Sequence, residues 1–238
     1  MKSLSVIFVG TGPFGVQILN TLIRNQNFTI SFVITSPDVP QGRRLKVHPS
    51  AIKETALKNN LIVHEPKRII DMYEKIVQQK CDFLLVVSYG AIIPEVILKI
   101  PRLAPVNIHP SLLPKYRGAS PIQESLLNRD RITGVTWISM NSDLDAGDII
   151  GQRELPIDPD DDARTMGEKL SAAAAPGHWE KNCQRRRQYG RLKCCLVLPR
   201  TRKKRLKTAR PRPIAQKSAK KMEESILRRS RRNAFLQK

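Results

Sequence analysis

In Asn107-Ile108-His109 an amide and an imidazole stand two residues apart. In an extended strand that spacing turns both side chains to one face and Ile108 to the other. An amide N–H and a titratable ring side by side suit acyl transfer: one donates to a developing oxyanion, the other gives or takes a proton near neutral pH. Pro110 and Pro114 then stop sheet pairing, which puts the pair at a strand end, where open α/β sheets bind ligands. A single histidine there is more often only a hydrogen-bonded residue, so a partner matters. Asp143-Leu144-Asp145-Ala146-Gly147-Asp148 offers one. Such a turn often serves only to reverse the chain; if folding brings Asp145 to His109, it orients the ring and stabilises its protonated form.

A second candidate is Gly10-x-Gly12-x-x-Gly15, directly after an apolar run and before a helical pattern, with Asp38 at about the interval of a ribose-binding acid. This reading implies an NAD(P)-dependent oxidoreductase with a pyrophosphate on the helix N-terminus. Against it, Pro13 lacks an N–H and Asp38 lies in the turn-like Ser-Pro-Asp-Val-Pro; the glycines serve equally as a tight strand-to-helix turn. The other histidines, His48, His64 and His178, have no partner at a useful spacing and read as surface or structural. Arg117 reads either as an anion contact or as half of a salt bridge.

These residues need a scaffold. Leu4–Val9, Phe28–Ile34 and Asp82–Val87 read as buried strands, with Val106 and Ile108 in a shorter one. Gly134–Met140 reads as another strand, and Ile149–Ile157 as its antiparallel neighbour. Phe14, Ile18, Leu19, Leu22 and Ile23 recur at helical spacing; further helices are expected over Ser50–Asn59, Ile69–Gln79 and Asp161–Ala174, the last with acidic residues in its first turn. The alternation predicts an α/β fold: a Rossmann-like, mostly parallel sheet flanked by helices.

Composition narrows the classes. The 238 residues carry a formal net charge of +21, which for a uniform fold would point to nucleic acid. The charge is not uniform: residues 1–170 carry about +2 and residues 171–238 about +19. No apolar run approaches the roughly 20 residues of a membrane helix, and the N-terminus lacks signal- and transit-peptide features, so a cytoplasmic protein is expected. Cys81, Cys183, Cys194 and Cys195 contain no C-x-x-C pair and read as free thiols; no metal is expected.

The run NIHPSLLPKYRGASPI, with SYGAIIP before it and LDAGDII after it, resembles the tetrahydrofolate-dependent formyltransferase family. VIFVGTGPFGVQIL and PDVPQGR are similar to that family's first strand-helix unit and the loop after its second strand. The likeness spans roughly residues 4–174. It implies Asn107, His109 and Asp145 as the catalytic triad. It further implies a 10-formyltetrahydrofolate donor lying against Ser111, Leu112, Leu113 and Pro114, against Ser88, Tyr89, Gly90, Ile92 and Pro94, and against the Asn141–Asp145 turn. The implied acceptor is initiator methionyl-tRNA, contacted by Arg43, Arg44 and Lys46 of a loop that otherwise reads as a solvated turn; Val39 stands where the family carries Arg. Related acceptors, an amino sugar or a purine-pathway amine, stay open, as does a non-enzymatic RNA-binding role resting on the basic segment. A monomer is expected.

The resemblance implies a catalytic domain over 1–175, its C-terminal edge incomplete, with residues 176–238 in place of the family's C-terminal β-barrel; composition predicts a basic, disordered tail there. In that tail the few apolar residues lack a steady period, too little to offset about 1–2 kcal/mol of backbone entropy per residue. A back-translation of Ile214–Ile226, read in a shifted frame and completed with bases of the Leu227 codon, gives SPKISKEDGRIDF, which resembles the start of the family's C-terminal domain. The third bases are a free choice, but Met222-Glu223 forces the Gly, and Lys221 allows only Asn or Asp before it. The expectation is a one-nucleotide frameshift near residues 173–178.

Overall fold

The structure, a computed structural model, describes residues 3–41 and 46–174. The expectations for 176–238, and those for Arg43, Arg44 and His178, lie outside the described residues. The chain order is β1 (Leu4–Gly10), α1 (Phe14–Arg24), β2 (Phe28–Ile34), β3 (Val39–Gln41), β4 (Lys46–His48), α2 (Ala51–Lys58) and β5 (Val63–His64). A 3-10 turn (Ile69–Met72) leads into α3 (Tyr73–Gln79), β6 (Phe83–Val87), α4 (Glu95–Leu98) and β7 (Ala104–His109). Then come α5 (Pro121–Leu127), β8 (Ile132–Ser139), β9 (Asp148–Pro156) and α6 (Ala163–Ala173).

The main sheet has the order β5-β2-β1-β6-β7-β8-β9. Its pairs are parallel from β5 to β7 and antiparallel from β7 to β9. The expected mostly parallel sheet is therefore present, with Ile149–Ile157 paired as anticipated. Strand alternation sorts the core onto two faces. Val6, Phe8, Phe83, Leu85, Val106 and Ile108 pack under α1, α2 and α6, while Ile7, Val9, Leu84 and Val86 pack with Ile69, Ile76 and Ile97 on the other face. Because Val106 and Ile108 commit β7 to the first face, Asn107 and His109 are left to the second.

Several local details differ from the expectations. The expected helix over Ile69–Gln79 is a 3-10 turn followed by α3. The acidic residues expected inside the first turn of α6 precede it: Asp162 is the cap and forms a reciprocal pair with Thr165. Residues 39–48, read as a turn and loop, include the short antiparallel pair β3–β4. Among the described residues no helix is long and apolar enough to cross a membrane.

Candidate active site

β7 sits beside β6, and the order of the parallel strands reverses between β1 and β6, so the carboxyl ends of these three strands form the crevice edge of a doubly wound sheet. Asn107 and His109 stand there, and His109 is only 4% exposed. The turn after β8 brings Asp145 to them from 38 residues away: Asn107 Nδ2 donates to Asp145 Oδ1 at 3.1 Å. The second carboxylate oxygen accepts the Gly118 N–H at 3.0 Å. His109 Nδ1 lies 3.7 Å from Asp145 Oδ1, close enough for charge attraction when the ring is protonated but beyond a direct hydrogen bond. The ring is held instead from the other side, where Nε2 lies 2.9 Å from the Tyr116 carbonyl.

Two glycines make this approach possible. A Cβ at Gly147 would collide with the Ser139 carbonyl oxygen, so the Asp145 turn folds tightly against the end of β8 only without one. Gly118 adopts φ +108, open to glycine and strained for other residues, which lets its N–H reach Asp145. Asp145 itself has φ +48, a conformation that aspartate tolerates better than most residues.

The expected donor-lining residues divide. Ser88, Gly90 and Ile92 are exposed beyond the end of β6, Ile92 at 89%, with Tyr89 and Pro94 half-buried. Leu112 is half-buried and Pro114 exposed. Ser111 and Leu113, by contrast, are buried, and the Ser111 hydroxyl donates to the Lys115 carbonyl. Their side chains pack within the loop. Thr136 and Gln152, which sequence reasoning did not single out, hold this loop. Thr136 Oγ1 donates to the Ser111 carbonyl at 2.6 Å and accepts the Leu113 N–H at 3.1 Å; Gln152 Nε2 donates to the Leu113 carbonyl at 2.8 Å. Lys46 opens β4.

The glycine turn is engaged within the protein. The N–H groups of Thr11 and Gly12 both donate to the Ser88 carbonyl, and those of Gly15 and Val16 bond to carbonyls of the turn itself. Asp38, the would-be ribose ligand, is paired with Lys53 at 2.6 Å, and that ammonium holds its carboxyl below the usual range. This geometry favours the tight-turn reading over a pyrophosphate cradle. Among the described residues no cluster of three or more His, Cys, Asp or Glu is arranged to hold a metal.

At the carboxyl end of β7 in a doubly wound sheet, an amide and an imidazole meet a carboxylate from the turn after β8, an arrangement chemically suited to group transfer. The chain belongs to the formyl transferase family, whose sequence profile matches residues 2–179. It is 47% identical over 169 residues to the methionyl-tRNA formyltransferase of Lactobacillus gasseri, covering 70% of this chain and 54% of that one. It is 42% identical over 171 residues to the enzyme of the same name from Mesoplasma florum, covering 72% and 55%. The chain thus spans about half the length of the curated relatives it matches. Among solved structures it is similar in fold to phosphoribosylglycinamide formyltransferase from Anaplasma phagocytophilum, with a TM-score of 0.64 and 23% identity over 78% of this chain and 89% of that one. It also resembles a sugar 3N-formyl transferase determined in the presence of dTDP and 5-N-formyl-THF, with a TM-score of 0.53 and 24% identity over 79% and 63%.

Proposed function

We propose that the chain carries the catalytic domain of a methionyl-tRNA formyltransferase. In this reading it moves the formyl group of 10-formyltetrahydrofolate to the free α-amine of methionine esterified to initiator tRNA, a step of translation initiation. The observation that carries the reading is the convergence of Asn107, His109 and Asp145 in a chain 42–47% identical to proteins of that name. As the amine nitrogen bonds to the formyl carbon, negative charge develops on the formyl oxygen. Asn107 spends one amide N–H on Asp145 and keeps its second for that oxygen. His109, when its Nδ1 carries a proton, is the other donor. The proton lost by the attacking amine passes through these groups or a water to N10 as the bond from N10 to the formyl carbon breaks, leaving formyl-methionyl-tRNA and tetrahydrofolate.

The donor is consumed as a co-substrate. The exposed Ser88, Gly90 and Ile92, with the half-buried Tyr89 and Leu112, suit an aromatic ring system, since Ile92 offers an almost fully exposed apolar side chain at the strand end. Arg43, Arg44 and Lys46 are the proposed tRNA contacts. We read residues 1–175 as the catalytic domain and residues 176–238 as a segment in a shifted frame.

The deciding experiment assays formyl transfer by this chain beside a frame-restored version, with methionyl-tRNA, an amino sugar and a purine-pathway amine as acceptors. Transfer to methionyl-tRNA that is fastest, and faster still in the restored chain, is expected. Faster transfer to either small amine overturns the acceptor assignment. Resequencing the gene from residue 173 to residue 227 tests the frameshift separately, and codons at 214–227 that fail to yield SPKISKEDGRIDF in the shifted frame remove it.

A further inference from the structure

The nitrogen of His109 nearest Asp145 is not the one that makes the ring's hydrogen bond. Nε2 points the opposite way, 2.9 Å from the carbonyl oxygen of Tyr116. A carbonyl only accepts, so this bond exists only when Nε2 carries a proton. In the neutral ring Nδ1 is then bare, facing the Asn107 and Asp145 side of the site.

What holds the Tyr116 carbonyl there is unusual. Tyr116 has φ +56, a conformation strained for a bulky residue that persists only where the surroundings over-determine it. The determinants are visible. The Tyr116 hydroxyl donates to Asp130 Oδ2 at 2.9 Å. Lys115 Nζ reaches the same oxygen at 3.2 Å and lies 5.7 Å from the Tyr116 ring centre. The Lys115 carbonyl is fixed by the Ser111 hydroxyl at 2.7 Å, and the Gly118 N–H is fixed by Asp145 at 3.0 Å. Asp130, between α5 and β8, is itself anchored by its N–H on the Ser125 carbonyl. Burial first, and then the Asp130 carboxylate, push the Tyr116 hydroxyl above its ordinary range, so it stays a donor.

We propose that Tyr116 and Asp130 are positioning residues for His109: the hydroxyl-to-carboxylate anchor holds the Tyr116 carbonyl against Nε2, keeps the proton there, and leaves Nδ1 as the nitrogen that exchanges a proton in the reaction. The proposal rests on His109 being catalytic, as read above, but its tautomer claim stands or falls without turnover. It also divides the work within the triad. The Tyr116 carbonyl sets the tautomer, whereas Asp145, too distant for a direct bond to the ring, orients Asn107.

The test uses the full chain labelled with 15N in histidine, with the His109 signals assigned by their loss in His109→Gln. Long-range 1H–15N correlation at a pH where the ring is neutral is expected to show a protonated Nε2 and a bare Nδ1. Tyr116→Phe and Asp130→Ala are each expected to give a mixed or reversed tautomer. In formyl transfer their kcat is expected to fall about ten- to a hundredfold, with KM for the folate donor changed less than about twofold. Asp130→Asn, whose amide oxygen still accepts from the hydroxyl, is expected to restore tautomer and kcat together. A proton on Nδ1 in the parent chain overturns the proposal whatever the kinetics. The parent tautomer kept in both Tyr116→Phe and Asp130→Ala overturns the anchor. If one of these variants does not fold, judged by its backbone spectrum, the other decides. Absence of transfer by the parent chain bears on the proposed function, and the tautomer measurements still decide this proposal.

Discussion

Asp145 spends both oxygens on N–H donors, Asn107 Nδ2 and the Gly118 backbone. Asp145→Asn puts an amide donor against one of these, so donor meets donor and the turn loses its hold on the site. Its kcat for methionyl-tRNA formylation is expected to fall about 10²–10³-fold, the scale of a lost oxyanion-site contact. His109→Ala is expected to cost about 10²–10⁴-fold, the range for a missing acid-base group. Steady-state formylation of methionyl-tRNA by the frame-restored chain measures both. Cys81 illustrates the opposite case, a reactive type made inert by its setting. It is fully buried, and burial pushes its thiol up to about 12. At pH 8 it is therefore a neutral thiol out of reach of solvent. Peptide mapping after native maleimide treatment is expected to find Cys81 unmodified, and modified once the chain is unfolded in urea. Asn107, His109 and Asp145 were legible from residue type and local context. The partners of His109 and Asp145 at positions 116 and 118 were not, because they are backbone groups that every residue carries.

At the scale of elements, α6 closes the first face of the sheet, and its start is fixed by the reciprocal Asp162–Thr165 cap. The Thr165 N–H, bonded to the Asp162 carboxylate, holds that carboxyl below its ordinary range. The folded chain therefore binds this proton less readily than the unfolded chain. The cap's contribution is present above the unfolded value of about 3.9 and is lost as pH falls through the lower folded value. In urea titrations Asp162→Ala is expected to be less stable than the parent at pH 7, with the gap closing as pH drops below about 4. The turn before β9 gives a stronger case. Gly147→Ala forces a methyl group onto the Ser139 carbonyl and is expected to cost about 1–3 kcal/mol, read from the same titrations, and to lower formyl transfer by displacing Asp145. The long apolar runs of β1, β2, β6 and β8 announced themselves in the sequence. The two-residue β5 and the short α4 and α5 did not, because a two-residue strand and helices of at most two turns complete too little of their period to stand out.

For the whole molecule the informative quantity is where the charge lies. Residues 1–170 are nearly neutral, and residues 171–238 carry about +19 of the net +21. A run of lysine and arginine attracts any polyanion by releasing counterions, without reading its sequence. Filter binding is expected to show initiator tRNA and an unrelated RNA retained alike by this chain at low salt, both losing affinity steeply between about 50 and 200 mM salt. A preference for initiator tRNA that survives at the higher salt would instead place specific contacts in the chain as it stands.

The sequence by itself determined the fold class and singled out the amide, imidazole and carboxylate that the structure brings together. Alternating apolar runs encode a covered sheet locally, and the amide, imidazole and carboxylate sit in short stretches that can be read without their surroundings. Only the tertiary structure decided how those groups are wired. It brought Asp145 back across 38 residues to Asn107, gave His109 the Tyr116 carbonyl rather than a direct carboxylate bond, and turned the Thr11 and Gly12 N–H groups onto Ser88. Hydrophobic periodicity is set by neighbours in the chain, whereas these partners are set by where the chain crosses itself. That depends on packing over the whole sheet.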